Sequence, residues 1–160
     1  NLITCIRQDI AFNEAEANLN RLKDEQKSSD DMLNRDYGPG NAFFVLAESN
    51  ECYEMQDREY TYRLCPFRET TQQGKDSGGP SLGHWGRWDG PETDKYSVML
   101  YENGQSCWNG PNRSTRVHIT CGPNNQLTEV SEPSRCEYRF QFMTPAACSS
   151  TLPPDTHDEL

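Results

Sequence analysis

Cys107-Trp-Asn-Gly-Pro-Asn-Arg-Ser-Thr115, a β-type run that ends at Cys121, and Ser131-Glu-Pro-Ser-Arg-Cys-Glu-Tyr138 form the densest part of this chain. The stretch concentrates cysteines, a tryptophan, an arginine and an acid within a short distance. A helical segment precedes it and a proline-containing tail follows it. We therefore take residues 107–138 as the region around which the rest of the chain is organised.

The composition limits the class of protein. The chain has 160 residues, enough for one domain with an appendage, but only 33% of them are hydrophobic. Mean hydropathy is −0.94. Seven cysteines can supplement a thin core in an oxidising compartment. The net charge of −10 argues against a nucleic-acid or anionic-membrane surface, and no run of apolar residues is long enough to span a membrane.

The C-terminus matches an endoplasmic reticulum (ER) retrieval signal, which a receptor reads. The four residues are His157, Asp158, Glu159 and Leu160. Together with the cysteines they predict a location in the ER lumen. No signal-like apolar segment begins the chain, so we interpret it as a mature or excised fragment.

The first forty residues predict a helix. Residues 13–36 fit a helical pattern, with Asn13 as N-cap and Glu16 completing a capping box. A narrow apolar stripe with a 3-4 spacing includes Phe12, Leu19 and Leu22. Two interpretations stay open, a solvated helix and the end of a coiled-coil arm.

The rest of the chain predicts short strands separated by turns, which is typical of a barrel or sandwich. The predicted strands are Ala42–Ala47, Cys52–Met55, Tyr60–Phe67, Lys95–Tyr101, Arg113–Cys121, Leu127–Val130 and Cys136–Met143, with a glycine-rich loop at Gly74–Gly83. In the last strand Tyr138, Phe140 and Phe142 share one face with Cys136. The chain thus divides into a helical, possibly coiled-coil lead-in (1–40), a β domain (41–148) and a flexible tail (149–160).

The cysteines predict disulfides rather than a metal site. Zinc-type C-x-x-C spacing is absent, and the histidines lack partners at metal spacing. Six cysteines in the β region allow fifteen pairings, of which Cys52 with Cys65 is the easiest to defend because a hairpin would bring them together. Cys5 stands apart, and if it is free it suggests an intermolecular partner or a truncated context.

Several motifs resemble a known family. They are Tyr62–Phe67, Ser81–Gly86, Cys107–Thr115, Glu132–Tyr138, Met143–Cys148 and the terminal His-Asp-Glu-Leu. These motifs look like the mannose-6-phosphate-receptor-homology (MRH) domain family, and within it the beta subunits of ER alpha-glucosidase II. The likeness covers about residues 13–160.

The resemblance implies a mainly β fold, a flattened β-barrel of two crossed antiparallel sheets preceded by one α-helix. It also implies the disulfides Cys52–Cys65, Cys107–Cys136 and Cys121–Cys148. Family members recognise a terminal mannose with a Gln-Arg-Glu-Tyr quartet. Matched motif by motif, that quartet and an adjacent aromatic residue fall on Gln72, Arg113, Glu132, Tyr138 and Trp108. Gln73 is the alternative to Gln72, because a slip of one residue turns the side chain to the other face.

The chemistry of these side chains suits a neutral sugar, whose hydroxyls both donate and accept hydrogen bonds. Arg113 only donates, ionised Glu132 only accepts, and Gln72 and Tyr138 do either. On the residues alone, a structural Arg113–Glu132 ion pair with Tyr138 in the core is the more common arrangement. The resemblance to the MRH family favours a mannose site over this structural ion pair. A sequon at Asn112-Arg-Ser would place a glycan beside Arg113, so we expect low occupancy there.

The sequence therefore predicts a non-catalytic, mannose-binding lectin domain of the glucosidase II regulatory subunit, with no cofactor and no metal. Its expected partners are high-mannose N-glycans on glycoproteins, the catalytic alpha subunit, which in the family binds through an N-terminal part outside this chain, and the ER-retrieval receptor. The main alternative is an ER-degradation lectin, but such relatives carry a Trp-Trp pair where this chain has Tyr60-Thr61-Tyr62. A hydrolase and a purely structural module remain further alternatives. A receptor for phosphorylated sugar is disfavoured because few basic residues lie near Arg113.

Overall fold

The structure is a computed structural model that describes residues 2–76 and 78–148. Backbone contacts divide the chain into two compact units, Asn1–Asp36 and Tyr37–Leu160. The division falls at residue 36 rather than at residue 40, because Tyr37 is 3% exposed and belongs to the core of the second unit. The predicted tail at 149–160, with its retrieval signal, lies outside the described residues.

The first unit is one long helix, α1 (Leu2–Leu33), and none of its residues is buried. The prediction that the helix begins after Asn13 was wrong, since Asn13 lies well inside α1. Residues 2–12 contain no glycine or proline, so nothing there stops the helix from extending towards the N-terminus. Whether α1 pairs with another helix stays a prediction. None of the described helices combines the length and the apolar character needed to cross a membrane.

The described residues of the second unit form a short helix, eight strands and three 3-10 helices. The helix is α2 (Phe44–Glu48), and the strands are β1 (Tyr53–Asp57), β2 (Tyr60–Cys65), β3 (Glu69–Gln73), β4 (Ser81–Trp88), β5 (Val98–Glu102), β6 (Ser114–Cys121), β7 (Gln126–Ser134) and β8 (Glu137–Thr144). The 3-10 helices are Pro39–Asn41, Glu92–Ser97 and Pro145–Ala147.

All eight strands form one sheet in the order β1-β2-β3-β4-β5-β6-β8-β7. Its edge strands β1 and β7 contact each other, so the sheet closes almost completely into a barrel. The predicted fold class, a mainly β barrel preceded by a helix, is confirmed. One detail differs, because the hydrogen-bonded ladder is continuous and β6 pairs with β8 in parallel, whereas antiparallel pairing was expected throughout.

Inward-facing side chains from most strands fill the barrel. Leu64, Leu82, Tyr101, Val117 and Phe140 are fully buried. On β8, Tyr138, Phe140 and Phe142 point inward, as the alternation of the sequence predicts. The core therefore lies under the strands that carry the candidate site.

Several predicted elements are wrong or have different bounds. The segment Ala42–Ala47 is not a strand, because Phe43, Leu46 and Ala47 are spaced as on one face of a helix and are buried together. Strand β3 was missed, and β4 begins inside the predicted loop Gly74–Gly83. Strand β5 begins at Val98 rather than Lys95, after a 3-10 helix. Strand β7 is longer than the predicted Leu127–Val130.

Candidate functional site

Two separate pieces of the chain meet at one end of β6 and β8. The disulfide Cys107–Cys136 joins the segment between β5 and β6 to the turn between β7 and β8. The Ser114 amide also donates to the Cys136 carbonyl over 3.1 Å. Because β6 and β8 are parallel, both strands begin at this end. Arg113, just before β6, and Tyr138, near the start of β8, therefore lie close together.

The structure pairs the remaining cysteines as Cys52–Cys65 and Cys121–Cys148. All three pairs are those that the resemblance implies. Cys52–Cys65 spans the β1–β2 hairpin, and Cys121–Cys148 lies at the opposite end of β6 from the candidate site. Cys5 is unpaired and exposed among the described residues.

Tyr138 forms the buried floor of the candidate site. It is 8% exposed, and its Cα is paired with that of Thr115 on β6. Burial raises the pKa of Tyr138 above its ordinary value of 10.0, and the charge of Glu132 raises it further. A hydrogen bond with Arg113 and the positive charge of Arg113 both lower the pKa of Tyr138, but they do not cancel the increase. At neutral pH the Tyr138 hydroxyl is therefore protonated and lies beside one cation and one anion.

Arg113 is held by backbone carbonyls rather than by a carboxylate. Its Nη1 donates to the Ser106 carbonyl over 2.7 Å and to the Gln105 carbonyl over 3.3 Å. Its Nε is buried without a hydrogen-bond partner. Because an external oxygen atom cannot reach this buried Nε, a hydrogen bond from Arg113 to a ligand would have to come from an Nη group.

Glu132 stabilises the turn that carries Cys136. Its Oε1 accepts a hydrogen bond from the Cys136 amide over 2.7 Å, at a residue with a φ of 66°. Within residues 2–76 and 78–148, no ion pair joins Glu132 to Arg113. The interpretation of Arg113 and Glu132 as a structural ion pair is therefore not supported, although Tyr138 does belong to the core.

Gln72 lies on β3 directly opposite Tyr62 of β2. The Tyr62 ring packs 6.5 Å from the Tyr138 ring, measured between centroids. Residues directly opposite each other on antiparallel strands project from the same face of the sheet, so Gln72 shares the face of Tyr62 and Tyr138. Gln73 is opposite Thr61 and lies on the other face. The register thus favours Gln72 over Gln73.

Trp108 is the most accessible of the five candidate residues. Its side chain is 86% exposed, and it follows Cys107 in a turn closed by the Gly110 amide and the Cys107 carbonyl. Asn109 in the same turn adopts a left-handed conformation with a φ of 55°. The disulfide therefore fixes the base of this turn while the indole projects outward.

The sequence did not identify two tyrosines as part of this region. Burial raises the pKa of Tyr62, and Tyr138, Asp57 and Glu132 add to that effect. Tyr60 is 37% exposed and its ring lies 6.4 Å from that of Tyr62. The alternation of Tyr60, Thr61 and Tyr62 along a predicted strand was the available signal, because it puts both rings on the face of Gln72.

Other features of the described residues do not form part of the candidate site. A cleft of about 340 Å³ is lined by Phe43, Asp94, Ile119 and neighbouring residues but by none of the five candidates. The described residues contain no group of three potential metal ligands. The sequon residue Asn112 is exposed. Arg116, a basic residue close to Arg113 in sequence, is exposed and pairs with Asp89 over 3.1 Å.

Comparison with solved structures defines the class of domain. The second unit is similar to the crystal structure of the MRH domain of glucosidase II beta bound to mannose, with 37% identity and a TM-score of 0.53 over 64% of this chain and 98% of that one. The MRH domain of Yos9 complexed with alpha3,alpha6-Man5 shares the fold at 17% identity and a TM-score of 0.52, over 77% of this chain and 91% of that one. The fold is that of an MRH domain.

Comparison of the sequence identifies the family. The model of the glucosidase II beta subunit-like protein family matches residues 8–158, and the chain belongs to that family. It is 51% identical to the human glucosidase 2 subunit beta over 130 residues, or 78% of this chain and 24% of that protein. It is 38% identical to the corresponding subunit of Oryza sativa subsp. indica over 137 residues, or 86% and 21%. The chain thus spans about a quarter of the length of these relatives.

Proposed function

We propose that the β domain, residues 41–148, is a non-catalytic lectin domain that binds a terminal mannose of high-mannose N-glycans. The observation that carries this proposal is the Arg113 guanidinium, which backbone carbonyls rather than a carboxylate hold in place beside Tyr138 and Glu132. The glucosidase II beta MRH domain that this chain resembles was solved with mannose bound, which supports the same class of ligand.

Each proposed contact has a distinct role. Arg113 donates from an Nη group to a sugar oxygen, and Glu132 accepts through Oε2, because its Oε1 already accepts from the Cys136 amide. Tyr138 and Gln72 can each donate or accept, and the positions at which they are held would distinguish an axial from an equatorial hydroxyl. Hydrogen bonds to charged groups contribute about 1.5–3 kcal/mol each. Trp108 forms the wall of the site.

The biological role follows from tethering. A lectin domain on a regulatory subunit holds a glycan near a separate catalytic subunit and raises the local substrate concentration. The proposed partners are therefore high-mannose glycoproteins and the catalytic alpha subunit of glucosidase II. We place this activity in the ER lumen, where the His157–Leu160 signal would be read by a retrieval receptor.

Binding to immobilised high-mannose glycan tests the proposal. Arg113→Ala and Glu132→Gln should each abolish detectable binding, and Glu132→Gln keeps an oxygen that can accept from the Cys136 amide. Arg139→Ala and Glu129→Gln are matched controls, because Arg139 is exposed on β8 and Glu129 is exposed on β7, the strand that carries Glu132. Unchanged binding by both site variants would refute the proposal.

A second measurement separates lectin from hydrolase. The wild-type chain is incubated with a glucosylated high-mannose glycan, and released glucose is quantified. The proposal expects binding without release. Glucose production that persists after repurification would instead assign a catalytic function to this chain.

A further inference from the structure

Two fully buried threonine hydroxyls connect distant strands beneath the candidate site. Thr70 Oγ1 on β3 donates to Thr115 Oγ1 on β6 over 3.0 Å, and Thr115 Oγ1 donates to the Leu82 carbonyl over 3.1 Å. Thr70 and Thr115 are both 0% exposed. We refer to this relay as the hydroxyl bridge.

The hydroxyl bridge crosses the interior of the barrel. Strands β3 and β6 are separated by β4 and β5 in the sheet, so in a flat sheet they would lie about 14 Å apart, three times the spacing of neighbouring strands. The 3.0 Å hydrogen bond is possible only because the sheet curves strongly here. The bridge therefore fixes the separation of two strands that no backbone ladder joins directly.

A β-bulge explains why the Leu82 carbonyl is the acceptor. Thr70 is paired with Gly83 and Thr71 with Ser81, so Leu82 is the additional residue on β4. Buried carbonyls require a donor, and Thr115 supplies one from across the barrel. The relay thus connects β3, the bulge of β4 and β6 in one chain of hydrogen bonds.

Each end of the hydroxyl bridge lies next to a proposed mannose contact. Gln72 follows Thr70 by two residues on β3, so the two side chains share one face of that strand. Arg113 precedes Thr115 by two residues and lies just before β6. Thr115 is also paired with Tyr138. Any change in the distance between Thr70 and Thr115 therefore moves Gln72 relative to Arg113 and Tyr138.

We propose that Thr70 and Thr115 are positioning residues that set the spacing between Gln72 and the Arg113–Tyr138 pair and thereby determine affinity for mannose. This inference rests on the proposed function. Neither threonine would touch the sugar, because both are completely buried. Their effect on binding is transmitted through Gln72 on one side and Arg113 on the other.

Removing the Thr70 hydroxyl with little change in shape tests the inference. Thr70→Val should weaken mannose binding about fivefold, the factor that corresponds to about 1 kcal/mol. Thr70→Ser keeps the hydroxyl donor and should bind mannose like the wild type. Thr144→Val is the matched control, because Thr144 is also 0% exposed and its Oγ1 donates to Asn125 over 2.7 Å, at the opposite end of β8. It should lower the unfolding temperature but leave affinity within about twofold.

A double-mutant cycle separates positioning from general destabilisation. Affinity is measured on a glycan surface dense enough to detect weak binding. Thr70→Val should cause a much smaller loss of affinity in the Gln72→Ala background than in the wild type, but an undiminished loss in the Trp108→Ala background. Equal affinity losses from Thr70→Val and Thr144→Val would overturn the inference, as would wild-type affinity in Thr70→Val or an effect unchanged in the Gln72→Ala background. If Thr70→Val does not fold, the Thr70→Ser variant tests the inference instead. Thr70→Ser keeps the hydroxyl, so weakened mannose binding by that variant would contradict the proposed role of the hydroxyl. A wild-type chain that binds no mannose would instead overturn the proposed function itself.

Discussion

Two disulfides of nearly equal loop length should contribute equally to stability, but only one of them should contribute to mannose binding. Cys107–Cys136 closes a separation of 29 residues, and Cys121–Cys148 closes one of 27. The first joins the two segments that carry the candidate site, and the second lies at the far end of β6. Replacing both cysteines of each pair by alanine therefore gives two variants that differ mainly in location.

The stability change follows from chain entropy. A crosslink removes freedom from the unfolded chain in proportion to the logarithm of the loop length, which for these separations gives about 3.6 kcal/mol in both cases. Binding should differ, because without Cys107–Cys136 the ligand must itself order the segment that carries Arg113. Fixing a single residue costs about 1–2 kcal/mol, so affinity for mannose should fall at least about fivefold.

Guanidinium unfolding and calorimetric titration with mannose measure the two quantities on the same samples. We expect similar losses in unfolding free energy and a loss of affinity only in the Cys107→Ala/Cys136→Ala variant. The Cys121→Ala/Cys148→Ala variant should bind within about twofold of the wild type. Equal loss of affinity in both variants would refute the argument that the first disulfide assembles the site.

Three further predictions concern single residues and pH. Tyr138→Phe should weaken mannose binding about tenfold, since it removes a hydroxyl hydrogen bond to a charged environment, while the unfolding free energy changes by less than about 1.5 kcal/mol; titration and denaturation of one preparation check both. Gly79→Ala should reduce mannose affinity, because a Cβ at Gly79 would overlap the Gln72 carbonyl, whereas Gly74→Ala, with no atom within 4 Å of the new Cβ, should not; the two variants are compared by titration. The raised pKa values of Tyr62 and Tyr138 stabilise the fold below pH 10 and lose that contribution as pH rises through the higher folded values. Unfolding free energy should therefore fall at alkaline pH, and less so in a Tyr62→Phe/Tyr138→Phe variant; an identical decline in that variant would contradict the assignment.

The parts of the fold that local patterns determine could be predicted from the sequence. Alternation along β8 placed Tyr138, Phe140 and Phe142 on one buried face, and the structure confirms it. A hairpin between Cys52 and Cys65 was predictable because the two cysteines flank a short turn. In both cases, residues that are close together in the sequence are sufficient to predict the structure.

Features that depend on distant contacts could not be predicted. Phe43 and Leu46 fit a strand on β propensity, but packing against the core selects a helix. The parallel pairing of β6 with β8 depends on the route of β7, which no local pattern encodes. The same holds for the hydrogen bond between Thr70 and Thr115, which joins two residues that only the folded barrel brings together.

The parallel pair β6 and β8 has a disulfide at each end, Cys107–Cys136 where the strands begin and Cys121–Cys148 where they finish. A pulling force applied to the chain beyond Cys148 enters β6 directly through the covalent bond to Cys121. The force therefore acts on β6 and β8 together along their length. It cannot break the hydrogen bonds between β8 and its neighbours one at a time. We expect the barrel to resist traction on its C-terminal side with the site intact, and to yield first in segments that no disulfide encloses.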